Sequence, residues 1–138
     1  MHWDLIVKSL PALFGALFLA VLFIQSGLDK VYDWKGNLGW LNDHFSKTFL
    51  ATMVPVLLGT ITVSELATGF VSAAGIIYFL ATGSLMAIFI ASIIGACSVT
   101  ALFFGQRIAK DYPGAAVLVP YFFLVLATMY LSNPYAKG

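Results

Sequence analysis

The sequence predicts an all-α, transmembrane four-helix bundle, up-down and antiparallel, forming a single integral membrane domain over 1–138. Three observations predict it. Hydrophobic residues make up 61% of the chain and charged residues 9%, against about 25% charged in ordinary soluble domains, too few to cover a water-facing surface. Mean hydropathy is +0.96. Four apolar stretches follow one another, each near the length of about 20 residues that crosses a hydrocarbon core. Helices are chosen over a barrel because period-two alternation is absent and a single-chain barrel needs about eight strands or more.

The first span is expected at 9–28. The charges before it are mixed, Asp4 and Lys8, and no small-x-small site precedes a polar region. The stretch is therefore expected to be retained rather than cleaved as a signal peptide. The connection 29–49 is the only sizeable polar segment. Within 37–49, Leu38, Leu41, Phe45 and Phe49 recur at helical spacing, with Asn42, Asp43, Ser46 and Lys47 between them. That pattern predicts a short amphipathic helix in the interface plane, with Trp34 and Trp40 at headgroup depth. It serves either as an anchor for one end of the bundle or as a lid or docking surface.

Span two is expected at 52–79, with Pro55 near its start, where proline is tolerated best. Thr82-Gly83-Ser84 predicts a tight connection in which Gly83 closes one helix and Ser84 caps the next. Span three follows at 84–104 and span four at 115–132, with Pro120 placed near the start of the latter. Five Lys and Arg residues (Lys30, Lys35, Lys47, Arg107, Lys110) fall on one side of the membrane and two (Lys8, Lys137) on the other. The excess places the charged loops in the cytoplasm and both termini outside.

Glu65 is the only formal charge in the apolar run 53–80. An acidic residue at a helix centre costs roughly 2.5–3.5 kcal/mol to insert, and such a group is by default a functional-site hypothesis. The plainer alternative is a structural carboxyl bonded to a neighbouring helix or a partner. Aligning the spans by helical rise brings Glu65 level with Gly15, with 92–95 and with Thr128, and leaves Lys30 roughly 20 Å away along the axis. Glu65 is therefore expected to have no basic partner in its own chain and to be held as the neutral acid.

Gly59, Thr62, Gly69 and Ser72 share the Glu65 face at steps of three and four, and span three offers Ala91 and Gly95. Small residues at that spacing let helices approach closely, so this set reads as helix packing, with a cofactor groove as the alternative. At the end of span one, Gln25, Gly27 and Lys30 form a candidate site for a quinone or a lipid headgroup. The plain alternative is that Lys30 snorkels to the interface. Cys97 is the only cysteine, which excludes intramolecular disulfides and dithiol redox pairs. His2 and His44 fall on opposite sides, no ligand cluster has metal spacing, and no phosphate loop, GxSxG or HExxH occurs. Neither a metal nor a catalytic set is expected. A net charge of +1 without a basic run gives no case for nucleic acid.

Two of these motifs resemble the DoxX family of small four-span membrane proteins. Gly27-Leu28-Asp29-Lys30 is similar to the family's G-x-x-K at the end of span one. ELATGFVSAAG at Glu65–Gly75 is similar to its E-x-x-x-G stretch in span two. The span spacing agrees, while the family's arginine early in span one and its histidine around span three are absent. The resemblance implies a four-helix bundle in a bacterial inner membrane and a link to redox complexes, such as the thiosulfate:quinone oxidoreductase in which the related DoxD is a subunit. It implies no enzymatic activity for this chain. The leading expectation is a non-catalytic accessory subunit of a respiratory or redox-linked complex, in contact with lipid and other integral membrane subunits. The alternatives are a quinone-binding subunit using Gln25, Lys30 and the Trp34/Trp40 belt, and a proton-coupled small-molecule transporter using Glu65.

Overall fold

The computed structural model describes residues 3–135, and these form five α-helices and one 3-10 turn with no strand among them. In order they are α1 (Trp3–Tyr32), α2 (Trp34–His44), the 3-10 turn Ala51–Met53, α3 (Val54–Thr82), α4 (Met86–Ile108) and α5 (Tyr112–Ser132). Four of them, all but α2, are long and apolar enough to cross a membrane. They are antiparallel neighbours in a closed ring: α1 packs on α3 and α5, and α4 packs on the same two from the opposite corner. The bundle is thus a transmembrane four-helix fold of the predicted class.

Each spanning helix is longer than its apolar stretch or begins earlier. Apolar counting finds the hydrocarbon-embedded part, whereas backbone hydrogen bonding continues into the polar ends. The 30 residues of α1 extend about 45 Å by helical rise, well beyond a core about 30 Å thick. Because α5 starts at Tyr112, Pro113 holds the early helical position and Pro120 falls inside the helix, not near its start as expected. Pro11 is likewise internal to α1. Both prolines leave an earlier carbonyl unpaired, which membrane helices tolerate through local adjustment.

Gly83 closes α3 in the left-handed region, φ 79°, and its N–H donates to the Phe79 carbonyl at 2.7 Å. That conformation is costly for a residue with a Cβ. Ser84 does not occupy the N-cap of α4, which is Leu85, but its hydroxyl accepts from the Met86 N–H at 3.2 Å. The expected capping function survives one position early.

The core is narrow and built from small residues. Ala16 and Ala91 are fully buried, and Leu19, Phe23, Val99 and Val125 form the central apolar cluster. Lipid tails are as apolar as these side chains, so close packing rather than water exclusion holds the helices together. Phe14, Val63 and Phe123 stand on the outer surface, each more than half exposed, as expected where lipid is the solvent. His2 and Lys137 lie outside the described residues.

Candidate functional site

The α1–α3 contact brings the molecule's intramembrane charges together. Two glycines set its spacing. A Cβ on Gly69 would stand 2.7 Å from the Ile24 backbone nitrogen, and one on Gly27 would stand 2.6 Å from the Leu66 side chain. With both absent, the helices approach until Ser26 and Lys30, one turn apart on α1, face Glu65 on α3. Lys30 Nζ lies 2.8 Å from Glu65 Oε1. Ser26 Oγ donates to Glu65 Oε2 at 2.6 Å, and Lys30 Nζ donates to Ser26 Oγ at 2.9 Å. Glu65 is 2% exposed, and the Lys30 side chain keeps 19% of its surface. Oε1 faces the ammonium without the alignment of a hydrogen bond, and no other described group donates to it.

This overturns the expectation that Glu65 lacks a basic partner in its own chain and is held as a neutral acid. The geometry is that of an ion pair. The error lies in the register of the two spans. Aligning their centres put Gly15 opposite Glu65. Gly27 against Leu66 and Gly69 against Ile24 instead place the turn 26–30 there, a shift of about 20 Å by helical rise. The Lys30 stem covers the remaining distance, pointing back into the bundle rather than out to the headgroups. Gly15 and Thr128 do meet, but in the α1–α5 contact, away from the carboxylate. Gly95 packs on Thr68 and Val125.

A buried ion pair with one extra hydroxyl is not a large net source of stability, because desolvating both charges offsets most of their attraction. Its effect is specificity. Any slippage of α1 along α3 would strand a carboxylate or an ammonium in a medium that cannot solvate it, so the pair fixes register.

The three residues expected to hold a quinone or headgroup do not converge. Gly27 is buried against Leu66, Lys30 is taken by Glu65 and Ser26, and Gln25 is exposed on the outer side of α1. The helical turn explains the separation: residues two and five apart point roughly 200° and 140° away from one another. Of the expected packing set, Gly69, Gly95, Ala91, Thr62 and Ser72 are buried between helices. Gly59 is the exception, only half-buried, and a Cβ there would stand 3.8 Å from the Trp34 ring of α2. Sequence reasoning did not single out Ser26, although its position four residues before Lys30 is a legible signal. It also passed over Gly75, whose Cβ would meet the Ile88 backbone at 3.0 Å, the fully buried Thr68, and Ser64, which hydrogen-bonds Ser98 across α3 and α4.

The connection between α1 and α3 covers the charged end of the bundle. Phe45, Leu50 and Val54 form a second apolar cluster, with Leu38 and Leu41 of α2 and Ile108 of α4 against it. The interfacial helix is α2, Trp34–His44, earlier and shorter than the predicted 37–49. Because it stops at His44, Phe49 leaves the expected face and is 72% exposed. His44 Nε2 stands 3.0 Å from Gln106 Oε1 and 3.6 Å from Asp111 Oδ2, and its ring stacks on Trp40 with centroids 4.4 Å apart. Asp111 also caps α5, its Oδ1 accepting from the Gly114 N–H at 3.0 Å. One imidazole thus ties the connection to the α4–α5 corner.

Two apolar grooves mark the outer surface. One of about 300 Å³ lies along α1 at Phe14, Leu17, Phe18 and Val21. The other, about 210 Å³, runs between α4 and α5 past Thr100, Phe103 and Phe122. Among the described residues no three His, Cys, Asp or Glu side chains gather closely enough to hold a metal ion. Comparison of the chain with protein-family models, curated proteins and solved structures finds no match.

Proposed function

We propose that the chain is a DoxX-like, non-catalytic accessory subunit of a larger respiratory or redox-linked complex in a bacterial inner membrane. The observation that carries this reading is the Lys30–Glu65–Ser26 cluster. It unites in one contact the two motifs that resemble the DoxX family, with Gly27 on Leu66 and Gly69 on Ile24 completing it. A carboxylate engaged by an ammonium and a hydroxyl, and 2% exposed, acts as a clamp between helices. Proton-coupled transport would need that group to be reached from both sides. A quinone site would need Gln25 and Lys30 to act together, and they face different ways. What remains is a rigid bundle with apolar outer grooves suited to lateral contacts. The start of α1 and the end of α5 lie at the end of the bundle opposite Lys35, Lys47 and Arg107, and the excess of basic residues favours the cytoplasm for that charged end.

The test is extraction of the full chain from its own membrane in mild detergent, followed by sizing and identification of what co-elutes. The reading expects other integral membrane subunits in fixed stoichiometry, with redox cofactors carried by them. Elution with no other polypeptide in fixed ratio would overturn it.

A further inference from the structure

The connection that covers the charged end of the bundle is lightly held. No side chain of α2 is fully buried, and a single non-helical residue, Asp33, joins it to α1. Among the described residues, His44 makes the only side-chain hydrogen bond or ion pair from 34–53 to a spanning helix or to the α4–α5 corner. Two acceptors converge on its Nε2, Gln106 Oε1 at 3.0 Å and Asp111 Oδ2 at 3.6 Å. Neither an amide oxygen nor a carboxylate can donate, so Nε2 carries the hydrogen. Nδ1 has no protein partner and is not among the fully enclosed polar atoms, so it reaches solvent. One attachment point, on a side chain that changes charge near neutral pH, holds the whole segment down.

We propose that α2 is a proton-sensitive lid and that His44 is its latch, gripping more firmly when the imidazole is charged. The second proton enters at Nδ1 from water and leaves the Nε2–H in place. It turns a bond between neutral groups into a charge-assisted one and pairs the ring with Asp111, whose other oxygen caps α5. The Trp40 face, stacked at 4.4 Å, also attracts a cation. Releasing the lid puts the ring in water, with no carboxylate beside it. A proton on the ring therefore favours the closed lid, and the latch weakens as pH rises through about 5 to 8, where imidazoles lose their charge. The surrounding charges do not reverse that sign. Asp43, next to the ring in α2, adds a second acid, and Arg107 turns its guanidinium over the Tyr112 ring at 4.5 Å. Lys47 and Lys110 are exposed, where salt screens them. The α3 side of this corner is apolar Val54 and Leu57, and Phe45 meets the imidazole edge-on at 5.2 Å. Opening uncovers the Phe45, Leu50 and Val54 cluster that seals this end. The device is independent of the accessory-subunit reading, since it needs no other subunit.

The experiment uses the full chain carrying Cys97→Ser, reconstituted in vesicles of phosphatidylethanolamine and phosphatidylglycerol. Spin labels on Gly39→Cys in α2 and Phe104→Cys in α4, both exposed positions, report the lid distance as pH is raised from about 5.5 to about 8. The population at longer distance is expected to grow about fivefold, the difference between a charge-assisted and a neutral bond. Asp111→Asn keeps an oxygen for the Gly114 N–H but removes the charge, and should abolish most of that growth. His44→Gln should abolish it entirely. Nitrogen NMR of the His2→Gln chain, labelled at histidine, is expected to show Nδ1 titrating while Nε2 stays protonated. A distance distribution that ignores pH, an unchanged response in either latch variant, or a neutral ring protonated at Nδ1 would each overturn the proposal. The parent distances and the nitrogen spectrum leave both latch residues intact, so they decide the matter even where those variants fail to fold.

Discussion

Breaking the Lys30–Glu65 pair from one side should be far worse than removing both charges. The Glu65 side chain is 3% exposed and that of Lys30 19%, so neither charge left alone can be solvated in place. Losing one partner of a buried pair typically costs about 3–5 kcal/mol. Because Lys30 keeps some surface and can redirect its stem toward the interface, Glu65→Leu is expected to cost about 2–3 kcal/mol. Lys30→Met strands the more deeply buried partner, with only Ser26 donating, and should cost about 3–4 kcal/mol. The double variant Lys30→Met/Glu65→Leu replaces both charges with apolar groups and should lie within about 1 kcal/mol of the parent. The assay is unfolding of the purified chain in mixed micelles at increasing denaturing-detergent fraction, followed by helicity. These values imply a coupling energy of about 4 kcal/mol or more, above the usual range of about 0.5–3 kcal/mol for contacting pairs. Additive losses in the double variant would refute the pairing, and so would single variants as stable as the parent.

Four further outcomes follow from packing and backbone geometry. Gly69→Ala should destabilise the bundle by about 1–3 kcal/mol, since the new methyl would meet the Ile24 backbone at 2.7 Å. Gly39→Ala, with nothing within 4 Å, should leave the same unfolding midpoint unchanged. Gly83→Ala should cost about 1 kcal/mol, because φ 79° at the end of α3 is a left-handed conformation; thermal unfolding in detergent measures it. His44→Ala should speed hydrogen exchange over 38–50 severalfold while leaving 60–80 protected, because the imidazole joins α2 to Gln106 and Asp111.

Much of the fold was legible because a bilayer imposes a simple grammar. Long apolar runs must be helices, Pro55 marks a beginning, and Gly83 marks an end. The interfacial helix was legible as a pattern but not in its limits. Leu38, Leu41 and Phe45 do pack inward, yet the chain turns after His44 and takes Phe49 out of the face. The register of α1 on α3 was not legible. Span lengths align helix centres, whereas the true offset is set by where Gly27 and Gly69 let backbones touch. That depends on side-chain shape across a contact, which no single-helix periodicity encodes. The same offset converted a carboxyl thought to be without a basic partner into half of an ion pair. The signal was nevertheless present in Ser26 and Lys30, spaced one turn apart on a span that ends with a charge.

The α1–α3 register can be measured directly by paired cysteines in a Cys97→Ser chain that keeps Lys30, Ser26 and Glu65. Gly27→Cys with Leu66→Cys places two thiols where a Gly27 Cβ would meet the Leu66 side chain, and rapid intramolecular disulfide formation is predicted. Gly15→Cys with Leu66→Cys, the pairing that span centres would favour, should remain reduced. Oxidation of the second pair in preference to the first would contradict the ion pair and the clamp built on it.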